Sequence, residues 1–345
     1  MKWFKLTAVA SVVAAAVAVG SASAIAADAA QAFYRGRTIQ VLVGFAPGGG
    51  YDLYARTLAR YLGKHIPGNP TVITQNMPGA GSMKVMNYLY NAARKDGTYI
   101  GTFARGMVFE PLLGHAKGTA FDATKFNWIG SISNEVSVCA FWHTSTIKSW
   151  EDMKTKQHKI GGSAAGADSD VFPTVLRKVY NLPMKLVTGY SGGGADINLG
   201  MERGEVDGRC GWSYSSMLSQ SKALVDGKKI NIVIQLALEK HEDLQHVPLI
   251  MDLPASPQDK AAMRLITSRQ AIARPFAAPP GVPPERVKAL RDAFDATMRD
   301  PDFVREATRL ALEVRPVNGP DVDKLIREIY ASPPDVVKRA SEIER

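Results

Sequence analysis

The sequence predicts an α/β protein built on mainly parallel sheets covered by helices. Two observations carry this. Strand, small-residue loop and helix follow one another repeatedly in chain order, and most strand candidates are short apolar runs of the kind expected for buried parallel strands. The pattern is clearest at residues 39–60. Ile39-Gln40-Val41-Leu42-Val43-Gly44-Phe45 is the strand. Ala46-Pro47-Gly48-Gly49-Gly50-Tyr51-Asp52 is the loop. Leu53, Leu58 and Leu62 then recur at helical spacing. A glycine turn leading into a helix leaves N–H groups free, and the helix dipole adds partial positive charge, so the place suits a carboxylate or phosphate.

The unit recurs. Residues 71–75 are a strand and Asn76-Met77-Pro78-Gly79-Ala80-Gly81 a turn, with a helix over 82–94. Residues 98–103 form the next strand. Arg105 follows it, where ligands of such sheets bind, and could pair bidentately with a carboxylate. Strands are also expected at 126–132 and 136–142, and Ser149 opens a short helix with the look of a capping box. Gly161-Gly162-Ser163-Ala164-Ala165-Gly166-Ala167-Asp168-Ser169-Asp170 leads from a strand into an apolar helix, so serine hydroxyls and free N–H groups converge there. Residues 184–188 and Gly189-Tyr190-Ser191-Gly192-Gly193-Gly194 repeat the design, with a helix over 195–203. Strands are expected at 206–212 and 230–238, with a polar helix over 213–226 between them. Residues 277–284 read as a rigid proline-rich linker. The helices beyond it are charged and amphipathic, and no chemistry is assigned to them.

The 345 residues suit two domains, and 46% apolar with 22% charged residues is ordinary for a globular chain. The net charge of +9 is spread among acids with no basic run, which gives no nucleic-acid motif. Residues 1–24 read as a secretory leader: Lys2 and Lys5, an Ala/Val-rich core, then Ala22-Ser23-Ala24, with Ala27 a second cleavage position. An exported, soluble mature chain is expected. The two cysteines, Cys139 and Cys210, permit one disulfide or two buried thiols. The six histidines are dispersed, so no metal site is expected. Gly48-Gly49-Gly50 lacks the order of a dinucleotide fingerprint, so no cofactor is expected either. Gly189-Tyr190-Ser191-Gly192-Gly193 also fits the nucleophile elbow of a serine esterase. Its partners would be Glu242 or Asp243 and then His246, which lie almost side by side.

The ordered set of these motifs resembles the Bug receptors, the periplasmic substrate-binding proteins (TctC type) of tripartite tricarboxylate transporters. The similarity runs from residues 45–56 through 76–81, 95–99, 161–166, 189–194 and 204–207 to the proline-rich 277–284. It implies a type II-like binding protein without enzymatic activity. Two α/β lobes would be joined by two crossover strands near 136–142 and 230–238, with the ligand cleft between them. Lobe I would comprise 33–139 plus 230–345, and lobe II 140–229. The family holds a ligand carboxylate between the first glycine loop and the Ser/Gly loop of the other lobe. Carried over, these are Ala46, Pro47, Gly48, Gly49, Gly50, Tyr51 and Asp52, then Gly162, Ser163, Ala164, Gly166, Ala167, Asp168 and Ser169. Arg105, Tyr190 and Trp212 join as further contacts. The family's second loop usually carries a histidine, and here Asp168 and Asp170 stand in that region. Their charge argues against citrate unless Arg105 or Arg209 compensates, and favours a mono- or dicarboxylate, aromatic ones included. The expected partners are the large and small permease subunits, with the receptor itself a monomer; a sensor that reports to a two-component kinase fits equally. If 136–142 lies beside 206–212, Cys139 and Cys210 meet in a disulfide bracing the hinge side of lobe II.

Overall fold

The computed structural model describes residues 28–114, 118–190 and 193–345. The expected leader lies outside them. Strand β1 (Thr38–Val43) pairs in parallel with β2 (Thr71–Asn76) and β3 (Tyr99–Thr102). Strand β4 (Asn127–Ser131) closes the early part of this sheet. The chain then leaves for a second sheet containing β5 (Ser137–Trp142), β6 (His158–Gly161), β7 (Met184–Val187), β8 (Gly208–Ser213) and β9 (Ile230–Leu236). It returns to the first sheet with β10 (Pro275–Ala278) and β11 (Val317–Asn318). The sheet orders are β11-β4-β10-β3-β1-β2 and β7-β6-β8-β5-β9. Strand β10 runs antiparallel to both β3 and β4, and β5 antiparallel to both β8 and β9.

The alternation in β1 explains how the first sheet is covered. Ile39, Val41 and Val43 face one side and pack with Tyr54, Leu58 and Leu62 of the helix Gly50–His65 and Leu290 and Phe294 of the helix Pro284–Met298. Leu42 faces the other side with Val85, Met86 and Leu89 of the helix Met83–Asn91. That helix lies so close to β3 that a Cβ on Gly101 would meet Leu89 Cδ1 at 2.3 Å. The second core continues from this one: Phe172 and Leu176 of the helix Asp168–Tyr180 pack with Met263 and Ile266 of the helix Pro257–Thr267 and Ile343 of the helix Pro334–Glu344. The C-terminal helix thus rests against a helix of the second sheet.

The chain passes between the sheets twice, at 132–136 and at 237–274. The two passages are tied together. Ile132 N–H donates to the Arg274 carbonyl (3.1 Å), Ala273 N–H to Ser133 (3.0 Å) and Glu135 N–H to Gln270 (3.0 Å).

Two elements differ from expectation. The proline-rich 277–284 is not wholly a linker, because β10 occupies its start as a central strand with Phe276, Ala277 and Ala278 fully buried. Its leading proline costs no ladder bond at the first strand position. The single polar helix expected at 213–226 is two, Tyr214–Gln220 and Lys222–Asp226, broken at Ser221. Among the described residues no helix is long and apolar enough to cross a membrane.

Cys139 and Cys210 are joined in a disulfide between β5 and β8, at the point where the pairing of those strands shifts. It closes 71 residues of chain. Replacing both cysteines by alanine is expected to lower stability by roughly 2–4 kcal/mol. An unchanged urea midpoint would show that the bridge constrains nothing.

Candidate functional site

A cavity of about 320 Å³ is lined from both sheets. From the first come the loop 45–51, Ala104 and Arg105. Arg274 enters from the returning passage. From the second come Ser163, residues 167–169, residues 193–195, Arg209, residues 211–213, Ser216 and Gln220.

The first wall is the glycine turn after β1. Gly48 takes a left-handed backbone (φ 87°), which favours glycine. Asp52 lies behind the turn, outside the cavity lining. Its carboxylate accepts from Gly48 N–H (2.9 Å), Arg56 Nε (2.9 Å) and Asn76 Nδ2 (2.8 Å). Burial pushes this carboxyl up, but these donors outweigh it and hold it below its ordinary value. The helix Gly50–His65 begins without a side-chain cap, so its first N–H groups remain available to a ligand. A Cβ on Gly50 would come within 2.5 Å of Ser216 Oγ, so only glycine lets this helix start meet the opposite wall. The Tyr51 ring stacks on Phe45 at 4.7 Å, with the Arg274 guanidinium 4.7 Å from its centroid.

Below the cavity is a buried ionic network. Glu135, in the first passage, meets Arg274 Nη2 at 2.8 Å and Arg105 Nη1 at 3.4 Å, and accepts from Ser215 Oγ at 2.6 Å. Arg105 Nε donates to Asp168 (2.7 Å) and Nη2 to Ser137 Oγ (2.7 Å), while its N–H donates to Tyr51 Oη (3.1 Å). Burial alone would raise the Glu135 carboxyl, but the two arginines hold it below its ordinary value. Burial likewise works against the Arg105 charge, and Asp168, Tyr51 and Glu135 outweigh it. Arg269 pairs with Glu344 and lies 3.6 Å from Asp168 Oδ1.

The second wall holds its own anion. Asp170 Oδ2 accepts from the N–H groups of Ser163 (2.7 Å) and Ala164 (3.0 Å) and from Ser169 Oγ (2.8 Å), while Thr188 Oγ1 donates to Oδ1 (2.7 Å). The amides of the Ser/Gly loop are therefore taken by a side chain. The helix Asp168–Tyr180 also starts without a side-chain cap, and the glycine-led uncapped start of this half is Gly194–Glu202, preceded by Gly193. Beside it Arg209 Nη1 donates to the Gly194 carbonyl (2.8 Å) and Asn198 Oδ1 (3.0 Å), with its guanidinium 4.6 Å from the Trp212 ring centroid.

Of the residues singled out in the sequence, Ala46, Pro47, Gly48, Gly49, Gly50, Tyr51, Arg105, Ser163, Ala167, Asp168, Ser169 and Trp212 line one cavity. Asp52, Gly162, Ala164, Gly166 and Tyr190 lie outside the lining, and Tyr190 Oη instead donates to Glu205 at 3.0 Å. Sequence reasoning missed Arg274, Ser216 and residues 193–195 as wall residues. The signal available was the fourth small-residue turn, residues 189–194, itself. Ser191, the hydrolase nucleophile candidate, lies outside the described residues. Among the described residues no cluster of His, Cys, Asp and Glu could hold a metal.

No protein-family model matches the chain, and no curated protein sequence matches it. Solved structures do. The periplasmic binding protein BugD superposes with a TM-score of 0.70 at 20% identity, over 90% of this chain and 98% of its own. Rpa4515 of R. palustris, solved with adipate, gives 0.69 at 17%, over 88% and 97%. MatC (Rpa3494) from Rhodopseudomonas palustris, with bound malate, gives 0.65 at 17%, over 90% and 99%. The fold is that of the Bug/TctC-type periplasmic binding proteins.

Two outcomes follow from the network. Glu135→Gln leaves Arg105 and Arg274 without their shared counter-charge and is expected to cost about 3–5 kcal/mol in urea unfolding; a loss under 1 kcal/mol would show that the pair is not held as described. Burial also raises the Glu313 and Glu344 carboxyls from 4.5 to about 7, against the pull of Arg315 and Arg269. Raised folded values mean that their contribution is fully present below the unfolded value and lost as pH rises through about 7. Melting temperature is expected to fall from pH 5 to pH 8, and Glu313→Gln to flatten part of that fall. A slope identical to that of the parent protein would contradict this.

Proposed function

We propose that the chain is an extracytoplasmic solute receptor that captures a small mono- or dicarboxylate and delivers it to a tripartite-type membrane permease. One observation carries the reading. Two uncapped, glycine-led helix starts from different sheets, Gly50–His65 and Gly194–Glu202, share a cavity with three arginines and one aspartate on its walls. Free N–H groups and surplus positive charge at such starts favour an anion. The cavity size suits a small organic acid. The bound adipate and malate of the structural neighbours support a carboxylate as that anion.

The contacts assigned to the ligand are the N–H groups of Gly49, Gly50 and Tyr51 on one side and residues 193–195 with Arg209 on the other. Asp52 and Asp170 shape the loops that present them. The lobes follow the two sheets, the first carrying β1–β4, β10 and β11 and the second β5–β9, so that β5 and β9 belong whole to the second lobe and the paired passages 132–136 and 237–274 are the hinge. The chain acts as a monomer in the periplasm after loss of residues 1–24. Ligand that bridges the walls favours the closed arrangement over an open one, and the permease reads that arrangement.

A thermal-shift screen of small carboxylates tests this. A ligand at a hundred times its Kd contributes about 2.7 kcal/mol, enough to raise the melting temperature by a few degrees. If amines, sugars or neutral amides stabilise the protein and no carboxylate does, the ligand class is wrong.

A further inference from the structure

We infer that Arg209 is the counter-ion for a second carboxylate, so that the cavity selects diacids over monoacids of the same length. This rests on the carboxylate reading above and deepens it.

Among the described residues, three other large buried charge centres show how this chain treats a buried guanidinium. Arg105 has Asp168, Arg274 has Glu135 and Arg269 has Glu344. Arg209, 7% exposed, has no acid among the described residues. Both acceptors of its Nη1, the Gly194 carbonyl and Asn198 Oδ1, are neutral. Its Nε is buried without a partner, and no hydrogen bond is formed by Nη2 among the described residues. Nε is closed off from solvent, which leaves Nη2 as the donor that meets a carboxylate entering the cavity that Arg209 lines. A buried charge left unmatched is unfavourable, so a position that keeps one open toward a cavity is built for a partner that arrives later.

The arginine is also fixed in place. Nη1 is tied to Gly194 and Asn198, and the Trp212 ring supports the guanidinium at 4.6 Å. A Cβ on Gly194 would lie 2.6 Å from Nη1, so the glycine makes the room that the guanidinium occupies. Cys210, the next residue, is locked to β5 by the disulfide. Burial pushes the Arg209 guanidinium down to about 9, which still leaves it charged at neutral pH. The first glycine turn belongs to the other sheet. An acid gripped there leaves its far end facing the second wall, where a methyl group leaves Arg209 unmatched and a carboxylate matches it.

The test compares length-matched pairs by calorimetry: succinate with butyrate, glutarate with pentanoate, adipate with hexanoate. The proteins are the parent chain, Arg209→Met and Arg209→Lys. The parent is expected to prefer the best-fitting diacid by roughly 30-fold or more, as a desolvated charge pair demands. In Arg209→Met the ratio is expected to drop to within a few-fold, and Arg209→Lys to keep an intermediate ratio. The ligand-free Arg209→Met protein is expected to melt no lower than the parent, because an unmatched buried charge has been removed. A diacid preference that survives in Arg209→Met overturns the assignment, as does a parent that binds both members of each pair equally while still binding acids. A parent that binds neither member of any pair removes the carboxylate reading itself.

Discussion

One buried carboxylate holds the molecule together at its waist. Glu135 lies in the first passage between the sheets. It is gripped by Arg105 from the end of β3, Arg274 from the returning passage and Ser215 from the helix after β8. Each partner comes from a different part of the chain, so the charge is matched only when both sheets and both passages are in place. Burying an unmatched carboxylate would cost several kcal/mol, and this makes Glu135 a condition on the arrangement of the two sheets. The same arginines reach the cavity above. Arg105 ties Asp168 into the network and presents its N–H to Tyr51, while Arg274 lies over the Tyr51 and Tyr54 rings. The contacts that tie the two passages together and the cavity wall therefore share one set of side chains.

The two walls solve the same problem in opposite ways. Both bring a small-residue loop into a helix start. On the first side the acid, Asp52, sits behind the turn, steadies Gly48 and leaves the helix amides open. In the second half the acid, Asp170, folds back over the Ser163–Ala164 amides and occupies them. The glycine-led, uncapped start that lines the cavity in the second half is that of Gly194–Glu202, beside Arg209.

Much of the fold was legible because its signals are periodic. The strand, glycine turn and helix of residues 39–65 could be read directly, since the apolar spacing changes from two to about three and a half as the chain turns. Strand β10 could not. It is four residues long, begins with Pro275 and runs into Pro279-Pro280, so local chemistry reads as linker while tertiary burial makes it central. Arg274 was invisible for a related reason. A lone arginine between a short helical turn and a short strand has no pattern around it, and its partner Glu135 is far away in sequence. Asp170 was seen, but an acid in a first helical turn ordinarily reads as a complement to the dipole. In the fold its carboxylate is instead bent back onto the loop.

That backward bend has a kinetic meaning. An anion carried on the same chain is always present, at an effective concentration no dissolved solute can match. The Ser163–Ala164 loop is therefore held in one shape by its own chain. Stray chloride or phosphate finds no vacancy there. That stretch of the second wall is thus settled by the chain itself and not by any solute.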